Sequence, residues 1–224
     1  MMLLCSLTAK SQWTIKPSIE YDYTRIYKHD VSLCLLADYQ LYETTNVGMG
    51  LKLGSRGSYS FDVKLSMLLF DMKRGELFLE NRYLYRMFPK YDIQEFTALL
   101  NLAYVSNHLK FHFGLFNRYY GAIPLRKDGG SATIFEPMNV AFAIEAMLFK
   151  PSHHWNISAR FSNFRDFCIE RFTSFFYSLN GYYDIKENIC LDAELGLHPA
   201  GSLNLTSQPN GFFIKVGMIY KFKE

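Results

Sequence analysis

The sequence predicts an all-β protein: a transmembrane, antiparallel, up-and-down β-barrel of about twelve strands. Three observations carry this. Apolar and polar residues alternate along most of the chain, turn signals cut it into segments of bilayer-crossing length, and the connections between segments sort by length.

The 224 residues contain 20 Phe and 16 Tyr but only 2 Trp, with a net charge of +3. Aromatic residues of this kind favour strands, and Tyr favours boundaries between water and apolar surroundings. The charge is too small to predict nucleic-acid binding. Mean hydropathy is −0.06, and no run approaches the ~18 apolar residues of a spanning helix. Alternating barrel strands average to such a neutral value.

The first residues, "MMLLCSLTAKSQW", are short and apolar, with Ala9, Lys10 and Ser11 before Gln12. Small residues there suit a signal-peptidase site, although a positive leading region is missing. Residues 1–11 are read as an incomplete signal peptide and 12–224 as one barrel domain. A buried first strand is the other reading. Cys34, Cys168 and Cys190 then remain, an odd number without close spacing. They predict free thiols, not a disulfide framework or a zinc site.

The predicted strands are 13–27, 30–43, 46–54, 58–71, 75–87, 92–106, 108–121, 138–150, 154–165, 172–184, 188–198 and 211–223. The fourth shows the pattern: Phe61, Val63, Leu65, Met67 and Leu69 alternate with Ser60, Asp62, Lys64 and Ser66. In the fifth, Leu77, Leu79, Tyr83 and Tyr85 oppose Glu76, Glu80, Arg82 and Arg86. In the last, Phe212, Ile214, Val216, Met218, Tyr220 and Phe222 form one face and Lys215 and Lys221 lie on the other. A period of two is the mark of a strand with one apolar face. No stretch has a convincing helical period.

Numbered from the first, the even connections are short ("YETTN", "DMKRG", "VSNH", "KPSHH", "DIKEN"). Every long or unusual one is odd, including "AIPLRKDGGSATIFEP", "NFRDFCIERF" and "HPAGSLNLTSQPN"; only "YKHD" is both odd and short. Outer-membrane barrels have short periplasmic turns and longer external loops, and an even strand count brings both termini to the periplasmic side.

The alternation alone does not say which face is outside. In a soluble barrel or sandwich the apolar face points in; in a membrane barrel it points out. The membrane reading is favoured by the uniformity of the pattern and by aromatics at strand ends, such as Trp155, Tyr182, Tyr183 and Tyr220. Small residues on the polar face, including Gly48, Gly50, Ser158, Ser178 and Asn180, suit a narrow lumen.

With the apolar face outside, the inward set includes a basic wall and an acidic wall. Arg82, Arg86, Lys110, Arg118 and Arg160 come from the fifth, seventh and ninth strands. Glu20, Asp22, Asp38, Asp192 and Glu194 come from the first, second and eleventh, which closure makes neighbours. Walls of opposite charge select solutes. The competing reading is that these charges pair across the lumen and plug it, and Glu80, Glu145 and Lys215, which fall in the wrong sectors, favour it.

The ending "VGMIYKF" resembles the closing strand of Gram-negative outer-membrane barrels, in which a terminal aromatic is recognised by the assembly machinery. Here Lys223 and Glu224 follow it. Gln12 after a small-residue cleavage site, with a strand at once, resembles Bacteroidetes-type exported proteins. The resemblance is to the class, porin-like in its lumen, and implies outer-membrane lipid and the barrel assembly machinery as partners.

Enzyme chemistry is not expected. Ser106, Asn107 and His108 invite comparison with the outer-membrane phospholipases, but they fall in a turn and the His-x-Ser order of that family is absent. His108 and His112 are too far apart along a strand for one metal. The Gly-rich part of "NRYYGAIPLRKDGG" lacks a strand–loop–helix context for phosphate. No metal or cofactor is expected. The reading is an integral outer-membrane channel for small polar solutes; a non-conducting barrel acting through its external loops is the alternative. A soluble lipocalin-like barrel is disfavoured by the strand count. The longest loop, at 122–137, is expected either to fold into the mouth as a constriction or to lie free outside.

Overall fold

The computed structural model describes residues 12–24, 28–91, 93–122, 132–152, 154–171, 174–199 and 209–223. The expected signal peptide lies outside them, as does most of the longest loop.

Twelve strands close into one antiparallel barrel. They are β1 (Gln12–Thr24), β2 (Lys28–Tyr42), β3 (Thr45–Gly54), β4 (Tyr59–Met72), β5 (Gly75–Phe88), β6 (Ile93–Val105) and β7 (Leu109–Ala122). β8 (Ala132–Ser152) and β9 (Trp155–Ser162) follow. Then come two short strands outside the barrel wall, β10 (Phe164–Arg165) and β11 (Cys168–Ile169). β12 (Phe176–Lys186), β13 (Ile189–Pro199) and β14 (Pro209–Lys223) complete the wall. Each strand pairs with its neighbour in sequence, β9 pairs with β12, and β14 returns to β1 with Trp13 opposite Phe222. Closure pairs the strands all the way round, so most of the strand backbone is satisfied within the wall.

The inversion is direct. On β4, Phe61, Leu65 and Met67 are 42–47% exposed while Ser60, Asp62 and Ser66 are buried at 6–7%. On β14, Ile214 and Val216 are exposed while Phe213 and Lys215 are buried. An apolar outer face with a polar, buried inner one is stable only where the surroundings are lipid. Aromatic pairs stand at both rims. Trp13 and Tyr39 (ring centroids 4.6 Å apart) and Trp155 and Tyr183 (4.8 Å) lie at the short-turn end. Tyr119 and Phe135 (4.7 Å) lie at the other. Such girdles mark the two membrane–water interfaces.

Two expectations are corrected. The eighth strand starts at Ala132, so part of the predicted longest loop belongs to the wall. The alternation there is broken by a bulge at Asn117 and Met138, which hides the strand from a period-two reading. The second correction matters more. The predicted ninth strand, 154–165, ends at Ser162, and the tenth begins at Phe176. The segment between them, expected as one of the long external loops, forms the β10–β11 hairpin, and its core residues Phe164, Phe167, Cys168 and Ile169 are at most 8% exposed.

Candidate functional site

β9 is much shorter than β8 (8 residues against 21), so the upper edge of β8 loses its partner. Asn163 supplies one. Its Oδ1 accepts the Phe142 N–H at 2.8 Å, and its Nδ2 donates to the carbonyls of Val140 (2.8 Å) and Glu170 (3.0 Å). These bonds turn the chain off the wall and fix the root of the hairpin. The tip is Asp166 and Phe167. Phe167 has φ 57°, a left-handed conformation that costs a bulky residue of order 1–3 kcal/mol.

The tip is held because the interior is shaped for it. A Cβ on Gly50 would stand 2.8 Å from the Phe167 ring and 2.6 Å from Leu36, so only glycine leaves that seat open. Phe164, Phe167 and Ile169 form one apolar cluster with Cys34, Leu84, Leu99 and Phe116 from the wall. Full burial of each large side chain contributes about 1.5–3 kcal/mol.

The charged residues grip the same hairpin. Arg82 holds Asp62 through two parallel bonds (Nε–Oδ1 2.8 Å, Nη2–Oδ2 2.7 Å) and donates from Nη1 to the Arg165 carbonyl at 3.2 Å. Arg160 donates to the Phe164 carbonyl at 3.0 Å, and Arg118 donates to that of Ile169. Arg86 reaches Cys168 Sγ at 3.3 Å while its Nη2 stays 2.5 Å from Glu95. Thus four of the five basic residues singled out in the sequence touch the hairpin. The fifth, Lys110, pairs with Glu145 at 3.1 Å.

On the other side, Arg165 of the hairpin reaches Glu20 (2.8 Å) and Asp22 (2.5 Å), and Asp166 lies 2.6 Å from Lys215. Asp38 pairs with Lys16 at 3.1 Å. Asp192 and Glu194 have no ion pair among the described residues. The arginines from β5, β7 and β9 satisfy hairpin carbonyls that water would otherwise have to reach, and the carboxylates of β1 neutralise the hairpin guanidinium.

Below the hairpin lies a cavity of about 330 Å³. Phe164, Arg165 and Asp166 roof it, and Lys64, Glu80, Asn180 and Asp192 are among its wall residues. A second space, about 400 Å³, adjoins it through Asp38, Gly48, Lys64 and Glu80, and is rimmed by Gln12, Gln40 and Asn46 at the short-turn end. The interior is therefore open and charged toward the short turns and filled by apolar side chains around the hairpin.

Two groups on the hairpin have altered acidity. Burial pushes the Asp166 carboxyl up, but Lys215 and Arg82 outweigh it and hold it well below the usual carboxylate range. Burial, with Glu170 adding to it, pushes the Cys168 thiol up to about 11 against the opposing pull of Arg86 and Arg165.

Sequence reasoning missed Arg165, Asp166 and Phe167, and the carboxylates Asp62 and Glu95 that stand among the basic residues. The only signal was the mixture of Phe and charge in "NFRDFCIERF", which reads equally as a solvated loop. Ser106 lies in the β6–β7 turn. Its hydroxyl donates to the Leu109 carbonyl at 2.9 Å and accepts the Leu109 N–H at 3.0 Å. His112 faces inward, its Nδ1 3.4 Å from Glu80.

No protein-family description matches this sequence, and no curated protein does. Solved structures match in fold. The Acinetobacter baumannii outer membrane protein Omp33 aligns with a TM-score of 0.57 and 11% identity, over 96% of this chain and 99% of that chain. The NanC porin gives 0.58 and 8%, over 92% and 100%. The KdgM porin in complex with disordered oligogalacturonate gives 0.55 and 11%, over 93% and 99%. At these identities the likeness is one of fold. That fold and the apolar outer wall are those of an integral outer-membrane barrel.

Proposed function

We propose that this chain is a porin-like channel for small polar solutes, closed in the state described by the β10–β11 hairpin. The observation that carries the reading is the charged cavity, which adjoins a polar space at the short-turn end and is roofed by Arg165 and Asp166. Solutes would meet the basic residues Arg82, Arg86, Lys110, Arg118 and Arg160 and the acidic residues Glu20, Asp22, Asp38, Asp192 and Glu194 once the hairpin is displaced. Charge-lined walls select by charge and size. Outer-membrane lipid against the apolar wall and the barrel assembly machinery are the partners this reading implies.

A non-conducting barrel is the second reading, favoured by the apolar cluster inside the wall, whose members Leu84, Ile169 and Phe116 are at most 1% exposed. Liposome swelling separates the two. A variant with residues 163–170 replaced by a short Gly/Ser linker, still showing heat-modifiable migration, should admit small sugars and amino acids. If that folded variant leaves liposomes as tight as empty ones, the barrel is structural.

A further inference from the structure

Most charges of the cavity wall are paired. Lys16–Asp38, Lys64–Glu80, Arg82–Asp62, Lys110–Glu145, Arg165–Glu20 and Lys215–Asp166 are all ion pairs within 3.1 Å. Outside these pairs stand Arg160, which donates to the Phe164 carbonyl, and a patch on β12 and β13. Asn180 faces Glu194 across the two strands, and Tyr182 faces Asp192. All four side chains line the cavity, and none has a hydrogen bond or ion pair among the described residues. Asn180 is only 5% exposed. Its amide has no protein partner among the described residues and opens on the cavity, where a ligand can reach it. Lys215, the cross-strand neighbour of Glu194, does not supply one, because its ammonium lies 2.6 Å from Asp166 instead.

We infer that this patch is a binding subsite for a small organic cation carrying primary ammonium groups, entering from the short-turn end. The two carboxylates give it a double negative charge, and the Asn180 carbonyl and the Tyr182 hydroxyl add neutral acceptors. Asp192 and Glu194 are two apart on one strand, so their backbones are about 6.6 Å apart, a span comparable to that between the two ammoniums of a short diamine. An ammonium brings three donors to acceptors that now have none, and a charge opposite to that of the two carboxylates. The cavity volume of about 330 Å³ falls at the lower end of small-molecule sites, roughly 300–1,000 Å³. The site needs no movement of the hairpin, so it stands whether or not the barrel conducts.

Isothermal titration of the full chain in detergent with 1,4-diaminobutane tests this, with sodium chloride at matched ionic strength as the reference. Saturable heat is expected from the diamine and none from the salt. Asp192→Asn together with Glu194→Gln should weaken binding at least tenfold, and Asn180→Ala should weaken it severalfold. If the double variant does not fold, Asn180→Ala and Tyr182→Phe carry the test. Equal heats from diamine and salt, or undiminished binding in the folded variants, overturn the site. Because the readout is binding in detergent, a barrel that binds without conducting contradicts only the channel, and one that conducts without binding contradicts only the subsite.

Discussion

At the scale of single residues, the interior rests on a few contacts that tolerate no substitution of shape. Gly50 is the clearest. Gly50→Val would place methyl groups where the Phe167 ring lies, and the strained tip has no other seat. Cys168 reports the result, because its thiol is buried and its acidity is pushed to about 11, which leaves little thiolate at pH 8. With Cys5, Cys34 and Cys190 replaced by Ser, Cys168 of the otherwise native chain should resist maleimide. Gly50→Val should speed its labelling at least tenfold, and unchanged labelling would show that Phe167 does not need the seat. Arg82 offers a second test. Arg82→Met leaves Asp62 buried and unpaired, and stranding one member of a buried pair costs about 3–5 kcal/mol. Thermal unfolding should show most of that loss recovered in Arg82→Met with Asp62→Asn, because the second change removes the orphaned charge.

At the scale of elements, the hairpin is an independent part with its own pH dependence. The Asp166 carboxyl is held below its ordinary value, so its contact with Lys215 stabilises the docked hairpin fully above the unfolded value of about 3.9. That stabilisation is lost only as pH falls through the lower folded value. Cys168 labelling, corrected for the thiolate fraction, should therefore give the same hairpin opening at pH 8 and pH 5; an opening that grows between those values would show that Asp166 is not the anchor. The strands were legible in the sequence and the hairpin was not, for a physical reason. Strand identity is written locally, in Phe61, Val63 and Leu65 alternating with Ser60, Asp62 and Lys64. The hairpin depends on partners far along the chain: Arg165 meets Glu20 and Asp22 at separations of 145 and 143 residues. A charged loop that will be solvated and one that will fold into a lumen have the same local pattern. The bulge at Asn117 and Met138 obscured the start of β8 in a similar way, by shifting the register of an otherwise regular strand.

At the scale of the whole molecule, the barrel has two unlike halves. The short-turn half is open, polar and lined by charge. The other half is filled by the hairpin and by wall residues such as Phe116, Phe176 and Phe213, each at most 2% exposed. The inward arginines are accordingly tied down: Arg82 and Arg118 each meet a hairpin carbonyl and a wall carboxylate, Arg86 meets Glu95 and the Cys168 sulfur, and Arg160 meets the Phe164 carbonyl. What the sequence presented as two walls of opposite charge is, in three dimensions, mostly a set of pairs around the hairpin, with Arg160, Asp192 and Glu194 outside the ion pairs. The central claim is that the hairpin closes an otherwise continuous charged path. Single-channel recording in planar bilayers tests it most directly, comparing the native chain with the variant in which a Gly/Ser linker replaces residues 163–170. The native chain is expected to stay near baseline with rare openings, and the folded variant to give steady, charge-selective conductance. A native chain that conducts as freely as the variant, or a folded variant that conducts no more than the native chain, would contradict the account.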